Sequence, residues 1–118
     1  MNKGNILYTL ERYTEAEAAL TEAINIKPSE LAYINRGVLC AQLKNYQAAE
    51  ADYNKAIALN PDFAEAYANR GILRAQLKDY QGAEADFTQA AQLFQKQGNM
   101  DAYQQVQQLL SQLEASSR

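Results

Sequence analysis

The sequence predicts an all-α protein built from stacked pairs of helices, and two observations lead to this prediction. Helix-favouring Ala, Leu, Gln and Glu are abundant among the 118 residues, which include only two prolines and five glycines. The segment YINRG at 33–37 returns as YANRG at 67–71, and most positions are identical when 33–60 is aligned with 67–94. A fixed period of this length is typical of stacked helical repeats.

A fainter copy precedes these two, because Gly4 and Ala16 stand 33 residues before Gly37 and Ala49. Within each unit, apolar residues recur at helical intervals on both sides of a polar break, which predicts two helices per unit. We therefore expect a single domain, 1–118. Its parts are a partial repeat at 1–29, repeats at 30–63 and 64–97, a capping helix at 98–114 and a frayed tail at 115–118.

Small residues at fixed positions predict close contact between the two helices of each unit, since small side chains let helix backbones approach. Glycine recurs on the first helix of each unit, and alanine recurs twice on the second. The structural positions are Gly4, Gly37, Gly71, Ala16, Ala49, Ala83, Ala56 and Ala90. Asn45 and Asp79 precede the second helices and are expected to form the turns or cap the helices.

The repeated arginine that precedes each glycine predicts an ion pair between the two helices of a unit. Asp52 and Asp86 lie 16 residues after Arg36 and Arg70, in the second helix of the same unit. We expect Arg36 to pair with Asp52 and Arg70 with Asp86 at charged-atom distances below about 4 Å.

The chain resembles the tetratricopeptide repeat family over about residues 1–96. The matching pattern is an aromatic residue, then glycine, then alanine, an aromatic residue and proline, as in Tyr33, Gly37, Ala49, Tyr53 and Pro61. The chain has Tyr for the usual Trp, Arg for the usual Leu before glycine, and no proline at the end of the third unit. The resemblance implies an α-α superhelix of two full repeats, a truncated first repeat and a C-terminal capping helix.

The resemblance further implies a concave groove lined by the first helix of each repeat, in which the chain binds a partner peptide. The expected groove residues are Leu31, Ile34, Asn35, Val38, Gln42, Glu65, Ala68, Asn69, Ile72 and Gln76. Asn2, Asn5, Tyr8 and Thr9 would extend the groove. Asn35 and Asn69 match an asparagine that contacts the ligand backbone in peptide-binding members; the alternative is that asparagine is merely tolerated at a polar helix site.

The groove composition predicts the kind of ligand. The best-known members hold a C-terminal carboxylate with lysines and arginines, whereas the matching positions here carry Ile34, Val38, Ala68 and Ile72. We therefore expect a ligand segment with apolar side chains.

Two structural alternatives remain open beside the peptide-binding module. The truncated first unit predicts an unpaired helix face that a homodimer could bury. Because that unit begins within its first helix, we also expect the chain to be the C-terminal fragment of a longer array.

Composition argues against the other functional classes. The chain has no histidine, so it lacks the commonest general base, and it carries no phosphate-binding or dinucleotide motif. We expect no enzyme activity, cofactor or metal, and a net charge of -3 argues against nucleic acid as a partner. No apolar run reaches membrane-spanning length. Cys40 is the single cysteine, so it forms no disulfide within the chain. We expect its thiol to be buried and the protein to be cytoplasmic.

Overall fold

The structure is a computed structural model that describes residues 3–116, with side chains from residue 11 onward, and this part of the chain contains six α-helices and no strand. The helices are α1 (Lys3–Ile26), α2 (Glu30–Gln42), α3 (Tyr46–Leu59), α4 (Ala64–Gln76), α5 (Tyr80–Lys96) and α6 (Met100–Ser116). Short connections make α2/α3 and α4/α5 antiparallel hairpins. Along the stack, α1 packs on α2, α3 on α4, and α5 on α6. The predicted all-α superhelix is confirmed.

The turn inside each hairpin has a left-handed residue followed by a polar one. Lys44 and Lys78 have φ values of 65° and 66°. The next residue, Asn45, donates its backbone N–H to the Cys40 carbonyl over 2.8 Å, which closes the end of α2. The Asp79 carboxylate accepts the Gly82 N–H over 3.1 Å and caps α5, as predicted. The Asn45 side chain makes no capping hydrogen bond, so Asn45 contributes to the turn through its backbone alone.

The first unit differs from the two-helix prediction, because α1 is one helix from Lys3 to Ile26. Glu11 and Arg12 occupy the places that the left-handed lysine and the following polar residue hold in the later turns. Neither is a strong N-cap, and both favour helix, so the sequence has no signal that would end a helix there. The groove positions Asn2, Asn5, Tyr8 and Thr9, and the structural position Gly4, lie outside the described side chains. At the other end, α6 continues two residues beyond the expected boundary at 114.

Close packing within each hairpin centres on the repeated glycines. A Cβ atom added to Gly37 would lie 2.7 Å from the Tyr53 ring, and one added to Gly71 would lie 2.7 Å from the Phe87 ring. On the facing helices, four alanines have no exposed surface: Ala49, Ala56, Ala83 and Ala90. In the first unit, by contrast, Ala16 is only half-buried.

Cys40 lies in the same core with 3% of its surface exposed, so the prediction of a buried thiol is confirmed. Burial raises the pKa of the Cys40 thiol, because desolvation disfavours the thiolate.

The burial of the Tyr53 phenol predicts a loss of stability at high pH. Tyr53 is 3% exposed, and burial raises its pKa to about 12. The unfolded phenol ionises near pH 10, whereas the folded phenol keeps its proton up to about pH 12. The stabilisation from the neutral phenol is therefore present below pH 10. It is lost at about 1.4 kcal/mol per pH unit between pH 10 and 12.

Urea unfolding from pH 9 to 12, for the wild type and Tyr53→Phe, measures this loss. The phenylalanine variant should keep its fold, because Phe87 fills the equivalent position in the next repeat. We expect its stability to fall less steeply above pH 10. Identical slopes for the two proteins would contradict the assignment.

Candidate peptide-binding groove

A first hollow of about 250 Å³ lies between α2 and α4. Its lining residues are Val38, Ala41, Gln42, Tyr53, Asn69, Ile72, Leu73 and Gln76. Both α2 and α4 supply amide and apolar side chains to this hollow, because they are the first helices of successive repeats and turn equivalent faces toward it. The hollow can therefore offer hydrogen bonds and apolar contact to one ligand.

A second hollow, of about 260 Å³, lies between α4 and α6. Its lining residues are Glu65, Ala68, Asn69, Ile72, Phe94, Ala102, Gln105, Val106 and Leu109. Asn69 and Ile72 line both hollows, so the two adjoin along α4. A third hollow, of about 270 Å³, continues past Gln76 to Leu109 and Gln112 of α6. The three together form the candidate groove.

Most of the predicted groove residues line these hollows. They are Val38, Gln42, Glu65, Ala68, Asn69, Ile72 and Gln76. Asn35 and Leu31 are exposed on α2 but line none of the three hollows.

The prediction that Ile34 lines the groove is wrong. It is 4% exposed and belongs to the core cluster that includes Ala66 and Leu73. Its branched side chain is packed in the interior, whereas the groove prediction needed it accessible. Ala68, at the equivalent position of α4, keeps part of its surface.

The contribution of α6 to the groove was not predicted from the sequence. Gln105, Leu109 and Gln112 line the groove opposite α4, although this helix was expected only to cap the stack. The available signal was the alternation of glutamines with apolar residues along α6, which allows one side of the helix to pack and the other to face a groove.

The groove has little charge. Among the described residues that line the three hollows, Glu65 is the one charged residue, and none is a lysine or an arginine. Val38, Ala68 and Ile72, at positions that the family resemblance matches to carboxylate-binding basic residues, line the hollows with apolar side chains. Apolar side chains cannot compensate the desolvation of a carboxylate.

Charged groups instead brace the helix pairs behind the groove. Arg36 donates to Asp52 through Nε over 2.8 Å and Nη2 over 2.7 Å. Arg70 donates to Asp86 in the same way, over 2.9 and 2.7 Å. These bidentate bonds raise the pKa of both arginines. Both predicted ion pairs are confirmed.

The same arginines connect neighbouring units. Arg36 Nη1 donates to Thr21 Oγ1 over 3.2 Å, and Arg70 Nη1 donates to Asn54 Oδ1 over 2.9 Å. Thr21 and Asn54 hold equivalent places in α1 and α3. Each arginine therefore fixes the helix that carries the groove residues against two others.

Among residues 3–116, no three His, Cys, Asp or Glu side chains form a group able to hold a metal ion. None of the described helices combines the length and the hydropathy needed to cross a bilayer.

Known proteins with similar sequences and structures fit this architecture. Models of the tetratricopeptide repeat match residues 1–30, 31–63 and 52–85. A UDP-N-acetylglucosamine--peptide N-acetylglucosaminyltransferase of Giardia intestinalis is 40% identical over 62 residues, which are 52% of this chain and 4% of that protein. The human mitochondrial import receptor subunit TOM70 is 34% identical over 71 residues, which are 55% of this chain and 12% of that receptor.

This chain thus spans a small part of the length of these relatives. Among solved structures, the TPR2B-domain:pHsp70-complex of yeast Sti1 superposes with a TM-score of 0.84 at 27% identity and covers 97% of this chain and 92% of that one. Together with the helix pairs and their packed glycines, these matches show that the chain belongs to the tetratricopeptide repeat family.

Proposed function

We propose that the chain is a non-catalytic protein-interaction module that binds a partner peptide in the groove across α2, α4 and α6. The observation that carries the proposal is the line of amide and apolar side chains in three adjoining hollows. The solved Sti1 domain, similar over nearly the whole chain, is a complex with pHsp70. That complex supports the use of this fold for binding another protein.

The amides suit an extended peptide backbone. Asn69 stands where the first two hollows meet, with Gln42 and Gln76 in the first and Gln105 in the second. An amide side chain donates and accepts at once, so it can pair with backbone N–H and C=O groups whatever the ligand's own side chains are. Asn69 is thus proposed to hold the ligand backbone.

The apolar residues define the ligand further. Val38 and Ile72 offer apolar surface, and Ile72 is 38% exposed. Because no basic residue is among the described residues that line the hollows, a C-terminal carboxylate gains no charge-assisted hydrogen bond from them. We infer a ligand with apolar side chains whose binding does not depend on a free C-terminus.

The absence of catalysis and a cytoplasmic location are parts of the same proposal. The chain has no histidine, and its single cysteine is buried, which suits a binding module in a reducing compartment. The alternative that the chain is one section of a longer array is compatible with this groove, because repeats add side by side.

Selection from a random-peptide display library tests the proposal. Enriched peptides are synthesised with amidated C-termini, and fluorescence anisotropy measures their dissociation constants. We expect Asn69→Ala with Ile72→Glu to weaken binding at least tenfold, because the variant loses a backbone partner and introduces a buried charge beside apolar ligand groups.

A matched control makes the same chemical changes elsewhere. Gln89→Ala with Ala85→Glu alters exposed residues of α5, beside a different hollow. This variant should bind like the wild type. Equal affinity of the wild type and the groove variant, or a strict need for a free C-terminal carboxylate, would overturn the proposal.

A further inference from the structure

The second half of α1 carries a helix face that the described residues cover less completely than the equivalent faces in the later units. Leu20 is half-buried and Ala23 is exposed. Their equivalents in α3, Tyr53 and Ala56, are 3% and 0% exposed. The difference arises because α3 packs against the separate glycine-bearing helix of its own unit, whereas the glycine-bearing segment of the first unit is continuous with α1.

The later units show what covers this face and in which register. A Cβ atom added to Gly37 would lie 3.2 Å from the Cβ of Asp52, and one added to Gly71 would lie 3.2 Å from the Cβ of Asp86. Both units therefore pair the glycine with the residue 15 places later. In the first unit, Gly4 holds the glycine position and Ala19 the facing position. The segment 3–10 thus has the register to cover the α1 face.

Within one chain, that segment does not reach the face. Gly4 and Ala19 lie in one continuous helix, α1. At 1.5 Å per residue they are about 22 Å apart along the axis. Folding back would need a turn at Glu11 and Arg12, where the later units have a left-handed residue.

We propose that a second copy of the chain covers the face, with the two α1 helices antiparallel about a two-fold axis near residues 11 and 12. Residues 3–10 of each copy then pack on the second half of α1 of the other, in the register that the later units use within one chain. This exchange is reciprocal, as a two-fold dimer requires. It also sets Glu11 of one copy opposite Arg12 of the other, so the charges at the crossing are complementary.

Light scattering across a dilution series tests the association. We expect twice the chain mass of 13.2 kDa at micromolar concentration and a shift toward the single mass on dilution. A wild-type chain of single mass at every concentration contradicts the proposal.

A cysteine pair tests the register. Gly4→Cys with Ala19→Cys, oxidised and run on a non-reducing gel, should give a covalent dimer. Two cysteines about 22 Å apart in one helix cannot bridge. The single variants are the controls, since each should remain monomeric on the gel, and Cys40 is buried. A disulfide formed within one chain would show that residues 3–10 fold back as a hairpin, and this result would overturn the exchange.

A third variant restores the missing turn. Glu11→Gly with Arg12→Asn supplies a residue suited to positive φ and a capping residue. We expect it to change the mass from dimer to monomer, with circular dichroism confirming that the helices remain. A restored-turn variant that stays fully dimeric would place the contact elsewhere and refute the exchange.

Discussion

Replacing Asp86 by alanine is expected to lower the free energy of unfolding by about 3 kcal/mol, because it leaves two arginines without their shared partner. Asp86 is 3% exposed and accepts from Arg70 over 2.9 and 2.7 Å and from Arg74 over 3.1 Å. The side chains of Arg70 and Arg74 are 18% and 24% exposed, so water compensates them only in part. Urea unfolding followed by circular dichroism measures the loss.

The equivalent position in the preceding repeat is the matched control. Among the described residues, Asp52 forms an ion pair with Arg36 and no second arginine, because Cys40 stands where the next repeat has Arg74. We expect Asp52→Ala to cost about 2 kcal/mol, less than its counterpart. Equal losses at the two sites would show that Arg74 contributes nothing.

A double substitution separates the ion pair from the cost of an orphaned charge. Arg36→Leu with Asp52→Ala should recover most of the loss of Asp52→Ala, since an apolar replacement leaves no unpaired guanidinium. A double variant as unstable as the single one would mean that the pair itself supplies the stability.

The ion pairs were predictable because two units with the same spacing constrain each other. A three-residue turn fixes how the helices of a hairpin face one another, and the 16-residue separation of Arg36 and Asp52 recurs in Arg70 and Asp86. Local spacing then determines the contact. The packing of Gly37 on Tyr53 follows from the same register.

The groove was less predictable, because its walls depend on neighbours outside the repeat register. Ile34 and Ala68 hold the same place, yet Ile34 is 4% exposed while Ala68 keeps more of its surface. Side-chain size and the adjacent helix decide burial there. α6 departs from the repeat pattern, so no equivalent position could assign Gln105 or Leu109 to the groove.

The continuous α1 shows a different limit of the sequence pattern. Gly4 and Ala16 keep the repeat register, which predicted a two-helix unit. The turn itself depends on a few local residues, and Glu11 and Arg12 do not supply them. Register and turn chemistry are therefore separate signals, and the second decides whether a hairpin closes.

Gly71→Leu is expected to cost about 3 kcal/mol, because the position has no room for a side chain. A Cβ atom there would lie 2.7 Å from the Phe87 ring and 3.2 Å from the Asp86 Cβ. The ring is 2% exposed and has little space to move. The added side chain must push α4 away from α5, which would also lengthen the bonds from Arg70 to Asp86. Urea unfolding measures the cost.

A double-mutant cycle tests whether the Phe87 ring is the cause. Gly71→Ala alone should cost about 1 kcal/mol or more, because overpacking exceeds the gain of about 1 kcal/mol in helix propensity. In a Phe87→Leu background the smaller side chain leaves room for the added methyl group. There, Gly71→Ala should be neutral or stabilising. The same cost in both backgrounds would mean that the glycine is needed for a reason other than this contact.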